Sequence, residues 1–168
     1  MEGFNVDMYT EEMLEQIRKV HSTPKQWAGS SILHHLHEIK KVVEENNITT
    51  ILDYGCGKAR YHPKELNITK YDPGVIEFSE KPLGKFDMVM STDVLEHVEE
   101  EFIVPVLDEI FNYATKFVFL SICIVPAKKI LPDGRNAHVT VKPKEWWEER
   151  LSKYSLPSHV SYDGNWRK

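Results

Sequence analysis

The sequence predicts an α/β protein, a mostly parallel sheet with helices packed on its faces. From residue 49 onward, short β-branched and apolar runs alternate with stretches whose apolar residues recur at helical spacing. Residues 117–124 are apolar almost without interruption, as a strand covered on both faces must be. Two of the runs stop at glycine or proline punctuation, Gly55 and Gly57 after the first and Pro73-Gly74 after the second.

The N-terminal third reads as helix. Met13, Leu14, Ile17 and Val20 form an apolar stripe behind Thr10, a side chain suited to capping. Residues 22–31, with Pro24 and Gly29, read as loop. Ile32, Leu33, Leu36, Ile39 and Val43 make a second helix, capped by Ser30 or Ser31 and ended at Asn46-Asn47. Strands are predicted at 49–54, 70–72 and 86–91. A helix with Leu107, Ile110, Phe111 and Ala114 on one face leads into the apolar strand at 117–124. Pro143 opens a last helix carrying Trp147, Leu151 and Tyr154, and residues 159–162 are expected as an antiparallel edge strand.

The 168 residues carry 21 Lys+Arg against 26 Asp+Glu, a net charge of -5, which disfavours a protein whose main task is gripping phosphate backbones. At 41% hydrophobic, the chain can build a packed core, so wholesale disorder is excluded. The longest apolar run is too short to span a bilayer, and the first twenty residues are acidic and amphipathic rather than a secretory leader. Cys56 and Cys123 lack C-x-x-C spacing and make no disulfide framework. A cytoplasmic protein with no membrane partner is the expectation.

The sharpest local feature is Asp53-Tyr54-Gly55-Cys56-Gly57. Glycines directly after a strand allow positive φ and a close backbone approach to a ligand. Nineteen residues beyond Asp53, at the end of the next strand, Asp72 offers a carboxylate to the two hydroxyls of a ribose. The plainer alternative is a turn that merely reverses the chain, with Asp72 capping it. A dinucleotide site wants a third glycine, and this turn has Ala59. Asp53 just before the turn repels a pyrophosphate but suits a ligand bearing an amine, such as S-adenosylmethionine.

The segment from 49 to about 151 resembles the class I S-adenosylmethionine-dependent methyltransferases of the small, type 11/23-like kind. Asp53-Tyr54-Gly55-Cys56-Gly57 resembles the family's first motif, Tyr71-Asp72-Pro73 its second, and Phe86-Asp87-Met88-Val89-Met90-Ser91-Thr92-Asp93-Val94-Leu95-Glu96-His97-Val98 its fourth-strand block. The resemblance implies a Rossmann-like, doubly wound sheet with S-adenosylmethionine as cofactor. The loop from Gly55 to Gly57 would line the methionine moiety, Asp72 and Pro73 would lie at the ribose, and Ser91 to Asp93 would border the sulfonium. The chain then divides into N-terminal helices over 1–47, a cofactor-binding core over 48–125 and an acceptor-side segment over 126–168, all one domain. The stretch from Asp72 to Asp87 is short, so its helix looks rudimentary. The brief C-terminus leaves room for a partner copy, hence a homo-oligomer, to complete the site.

Methyl transfer to a hydroxyl gains from a base. His97, just past the third predicted strand, and His138, after the fourth, are the candidate catalytic residues. Thr92 or Asp93 would alternatively cap a helix beginning there, with Glu96 in its first turn. Asp93, Glu96, His97 and His138 also resemble the metal set of the small-RNA 3′-end 2′-O-methyltransferases. A metal-assisted RNA methyltransferase is therefore the alternative to a small-molecule methyltransferase, which the acidity and the resemblance favour. A non-catalytic S-adenosylmethionine-binding module and a cofactor-cleaving enzyme are the remaining readings.

Weaker signals are weighed the same way. The polar loop 132–138 turns at Asp133-Gly134 and clusters Arg135, Asn136 and His138. His34, His35 and His37 on the second helix could suggest a metal and read instead as a solvated helix flank. Of Trp146 and Trp147, one is expected on the sheet and one on the surface. Cys56 is not read as a nucleophile. Lys128, Lys129, Arg135, Lys142 and Lys144 make a loosely basic zone that solvation explains, though it is where an anionic acceptor would dock, and Trp27 is a lid by family analogy alone.

Overall fold

The computed structural model describes residues 8–164. The strands β1 (Ile51–Tyr54), β2 (Ile68–Tyr71), β3 (Phe86–Thr92), β4 (Ala114–Cys123) and β5 (Ser158–Asp163) form one sheet in the order β2-β1-β3-β4-β5. Every pairing is parallel. Helices α1 (Glu11–Ser22), α2 (Ser31–Glu45), α3 (Glu100–Tyr113) and α4 (Lys144–Leu151) complete the α/β architecture. It is a Rossmann-like, doubly wound fold, as the alternating pattern predicts.

Each sheet face has its own core. Ile32 and Ile39 of α2 pack on Ile51, Met88, Met90 and Phe119. Ile103, Leu107 and Ile110 of α3, with Trp147 of α4, pack on Leu52, Tyr54, Val89, Val118 and Leu120 across the sheet. Covering both faces explains why the central strands are buried at nearly every position rather than at alternate ones. α1 packs Met13, Ile17 and Val20 against Leu131 and Ala137, with Trp27 beside them. Its start is fixed by Thr10, whose hydroxyl accepts from the Met13 N–H. Thr10 in turn donates its N–H and its hydroxyl to the Glu99 carboxylate at 2.8 and 3.2 Å.

The connections are uneven. Residues 55–67, between β1 and β2, contain no α-helix, and those between β2 and β3 hold only a 3-10 turn, Ile76–Phe78. α2, which precedes β1, covers the sheet instead.

Several elements differ from the sequence reading. β5 is parallel to β4, with Leu120 opposite Val160, and not an antiparallel edge; the crossover through α4 is long enough to bring the chain back to the same end of the sheet. Ala114 opens β4 rather than closing α3. Thr92 and Asp93 cap no helix. Asp93 takes a left-handed φ of 55°, a 3-10 turn follows at Leu95–His97, and α3 begins only at Glu100. Glu96 is thus a wholly buried residue of that turn, not a solvated first-turn carboxylate. Leu33 is exposed, and His35 takes the buried place on α2, edge-on to Phe119.

Candidate functional site

A cavity of about 530 Å³ opens at the carboxyl ends of β1, β2 and β3, within the size range that holds a small-molecule ligand. Open parallel sheets place their ligands there. Its walls come from the Gly55 to Gly57 loop, Asp72, the turn at Thr92 to Val94, His97, the loop through Lys128, Lys129 and His138, residues 25–31, Tyr9 just before α1, and Ile17 and His21 along it.

One end is built from backbone. Gly55 and Gly57 have φ of 87° and 56°. A Cβ at Gly55 would lie 2.5 Å from Val94, and one at Gly57 2.8 Å from the Trp27 carbonyl oxygen. The loop is tied to β2 through the N–H groups of Gly55 and Cys56, both donating to the Tyr71 carbonyl. Ala59, where the related motif has its third glycine, still takes a left-handed φ of 49°. The Lys58 and Arg60 N–H groups donate to the Trp27 and Ala28 carbonyls, so the segment before α2 is pinned against the glycine loop.

Asp72 stands at the end of β2, facing this loop. Its Oδ2 accepts the Gly57 N–H and its Oδ1 the Gly74 N–H, each at 2.8 Å. A carboxylate has about four acceptor sites, so each oxygen keeps one for a further donor. Burial pushes the Asp72 carboxyl up to about 6, against the lowering effect of the two N–H groups. His21 Nε2 lies 3.8 Å from Oδ1, too far for a hydrogen bond. Burial, with Lys58 and Lys129 nearby, pushes His21 down to about 4, so it faces the carboxylate as a neutral ring.

The other end is built from rings. His21, Trp27, His97 and His138 follow one another edge-on, with successive centroids 5.1, 5.0 and 4.8 Å apart. Lys129 Nζ sits 5.6 Å from the Trp27 ring centroid. His97 Nδ1 is 2.7 Å from the Ala137 carbonyl, and His138 Nδ1 is 2.6 Å from that of Val125. Carbonyls only accept, so both Nδ1 atoms carry the hydrogen and both Nε2 atoms carry the lone pair. Burial first, then the neighbouring His138, pushes His97 down to about 3. Burial lowers His138 as well.

The remaining candidates divide between cavity and support. Asp93 lines the cavity; its Oδ1 accepts the Ser121 hydroxyl at 2.8 Å. Ser91 is buried and donates to the Tyr54 carbonyl, beneath the surface of the site. Tyr54 points into the core, where its hydroxyl donates to Glu109 at 2.6 Å. Cys56 is buried, and burial beside Asp53 and Asp72 raises its thiol far above the ordinary range, so it is inert as a nucleophile. Pro73 and Asp53 are not among the lining residues. Asp53 Oδ2 instead meets His62 Nε2 at 2.6 Å in a buried pair. In the polar loop only Ala137 and His138 reach the cavity. Arg135 pairs with Asp133 and Glu99, and Asn136 clamps the Ala127 backbone through both its amide atoms. Lys142 and Lys144 pair with Glu100 and Glu148, which leaves Lys128 and Lys129, joined by Lys25, at the cavity. Trp147 is buried, whereas Trp146 carries the Arg150 guanidinium on its face.

Sequence reasoning missed Tyr9, His21 and His62. The first two reach the cavity only because α1 folds back over it. His62 lies in a stretch with no periodic signal, and its place is set by the partner it meets.

Comparison with protein-family models, curated proteins and solved structures returns no match for this chain. Fold and side-chain geometry therefore carry the functional reading by themselves.

Proposed function

We propose that the chain is an S-adenosylmethionine-dependent methyltransferase acting on a small-molecule acceptor. The observation that carries the reading is the coupling of Asp72 to the glycine loop. The Gly57 N–H fixes the carboxylate at the cavity wall while one acceptor site per oxygen stays available, which matches the two adjacent hydroxyls of a ribose. A dinucleotide fits less well. Its pyrophosphate is usually met by a helix N-terminus after the glycine turn, and residues 55–67 form no helix.

S-adenosylmethionine supplies a methyl carbon already activated by a sulfonium. The chain's part is then to hold the acceptor in line and exclude water, which at best contributes roughly 7–11 kcal/mol. Gly55 and Gly57 let the backbone approach the methionine portion, and Asp93, held by Ser121, offers a carboxylate to positive charge. Trp27 and α1 close the cavity from above. His97 and His138 stand at the acceptor end. A ring with its pKa near 3 is a poor proton sink at neutral pH, so His97 serves there as a fixed hydrogen-bond acceptor that orients the acceptor rather than as a strong base.

Titration calorimetry with S-adenosylmethionine, its demethylated product and NAD, on wild type and Asp72→Ala, tests the reading. Both adenosyl ligands should bind wild type in preference to NAD and weaken markedly in the variant. Tighter binding of NAD, or an unchanged affinity in Asp72→Ala, refutes it.

A further inference from the structure

The ring end of the cavity carries positive charge that the chain itself does not balance. Elsewhere on this acidic surface lysines meet carboxylates, Lys40 with Glu65, Lys116 with Asp87, Lys142 with Glu100 and Lys153 with Asp108. Lys25, Lys128 and Lys129 line the cavity instead, and among the described residues neither Lys25 nor Lys129 pairs with a carboxylate. The two carboxylates of the lining are engaged elsewhere, Asp72 by the Gly57 and Gly74 N–H groups and Asp93 by the Ser121 hydroxyl.

Lys129 is the cation built into place. It is partly buried, with its Nζ 5.6 Å from the Trp27 ring centroid, and the His97 ring lies 5.0 Å from the same indole. One aromatic ring therefore borders both the ammonium and the imidazole. The loop beneath Lys129 is pinned on itself. Its carbonyl accepts the Ala137 N–H at 3.0 Å, the Leu131 N–H donates to the Arg135 carbonyl at 2.8 Å, and the Asn136 amide bonds both backbone groups of Ala127. Lys129 and His138 thus belong to one fixed loop. Burial, with Lys58 close by, holds Lys129 below the ordinary lysine range, and its charge helps to push His21 and His97 down. A cation partly stripped of water and crowded by another cation is stabilised by an incoming anion. S-adenosylmethionine brings a single carboxylate, which three lysines outnumber.

Resting on the methyl-transfer reading, we propose that the acceptor is a small carboxylic acid bearing a hydroxyl or amine, its carboxylate held by Lys129 and its O–H or N–H donated to His97 Nε2. A carboxylate fits better than a phosphate. A phosphate monoester carries a charge of about -1.5 to -2 at neutral pH and would face Asp72 and Asp93 in a chain of net charge -5. No arginine, whose planar fork suits phosphate, is among the described lining residues. The acceptor oxygen or nitrogen forms one bond to the methyl carbon, the carbon–sulfur bond breaks with its electron pair left on sulfur, and the acceptor's proton goes to solvent water.

The test is calorimetry with 3-hydroxybenzoate, 4-hydroxybenzoate and 4-aminobenzoate, each set against its neutral carboxamide, on protein saturated with S-adenosylhomocysteine. Wild type, Lys129→Met and the exposed control Lys64→Met are compared; methionine keeps an apolar stem beside Trp27 and removes the charge. In wild type at least one acid should bind about tenfold or more tightly than its amide, the worth of one charge-assisted hydrogen bond. The preference should vanish in Lys129→Met and persist in Lys64→Met, with S-adenosylhomocysteine affinity within about twofold in all three. An absence of acid-over-amide preference in wild type overturns the proposal, as does a preference that survives Lys129→Met. A roughly tenfold loss of S-adenosylhomocysteine affinity in Lys129→Met also overturns it, since the lysine would then hold the carboxylate of the cofactor. The acid and amide titrations are repeated without nucleoside, so that a failure of adenosyl binding, which refutes the methyltransferase reading, is told apart from a failure of Lys129 to select an acid.

Discussion

The two ends of the cavity are made of different material. The Gly55–Asp72 end is main chain: N–H groups, a carboxylate that they fix, and glycines whose missing side chains make the room. The Trp27–His138 end is side chain: four rings in edge contact above a buried glutamate. Backbone construction leaves little tolerance for change, because a single Cβ collides with main-chain or fixed atoms. Ring construction tolerates truncation but loses specific chemistry. Substitutions at the two ends should therefore separate cleanly, with adenosyl affinity responding at the first and behaviour toward the acceptor at the second.

The largest expected effect is at Asp72. Two hydrogen bonds to a charged acceptor are worth about 1.5–3 kcal/mol each, so Asp72→Ala should weaken S-adenosylhomocysteine by about 100-fold or more in calorimetry. Gly57→Ala comes next. Its Cβ would meet the Trp27 carbonyl at 2.8 Å in a left-handed backbone, and chemical denaturation should show a loss of about 2–3 kcal/mol together with weakened nucleoside binding. A Gly57→Ala protein with unaltered stability would remove the claim that this end is rigid main chain.

The pH response sharpens the comparison. The Asp72 carboxyl is raised to about 6 by burial, and its value in the unfolded chain is near 3.8. A raised acid costs the folded state when ionised. The cost is absent below pH 3.8, grows between 3.8 and 6, and above 6 is on the order of 3 kcal/mol. Urea unfolding between pH 4 and 7 should show that component in wild type and lose it in Asp72→Ala. Nucleoside affinity runs the other way, falling as pH drops through 6 and the acceptor oxygen takes a proton. His97 and His21, lowered to about 3 and 4 in the fold, stay neutral above pH 4 and leave nucleoside affinity alone. The unfolded chain protonates them below 6.5, so they destabilise the fold as pH falls, and the Asp72 component is read as the difference between wild type and Asp72→Ala.

The smallest effect is at Trp27. Trp27→Ala removes the ring between His21 and His97 and should change nucleoside affinity only about threefold, within the range of one aromatic contact. A loss at Trp27 as large as that at Asp72 would erase the distinction between the two ends.

What the sequence made legible follows the same division. Gly55, Gly57 and Asp72 were readable because turn chemistry and strand ends are local properties, and local signals survive without knowledge of packing. The all-parallel sheet was readable from its alternation, apart from β5, whose direction depends on how far the α4 crossover carries the chain. At the ring end, His97 and His138 were visible as residue types. Their meeting depends on Thr140 tying one segment to the other, which no periodicity records. Its place before the glycine turn makes Asp53 a partner for the ligand amine in the sequence, whereas the structure turns its carboxylate to His62. A side chain's nearest charge in space is not its nearest in sequence.

The most direct measurement is a crystal structure of the protein with S-adenosylhomocysteine in the cavity. The two ribose hydroxyls should lie about 2.5–3.0 Å from Asp72 Oδ1 and Oδ2, with the Gly57 and Gly74 N–H contacts retained. An empty cavity at saturating ligand, or a ribose bound with Asp72 turned from it, would contradict the proposed site.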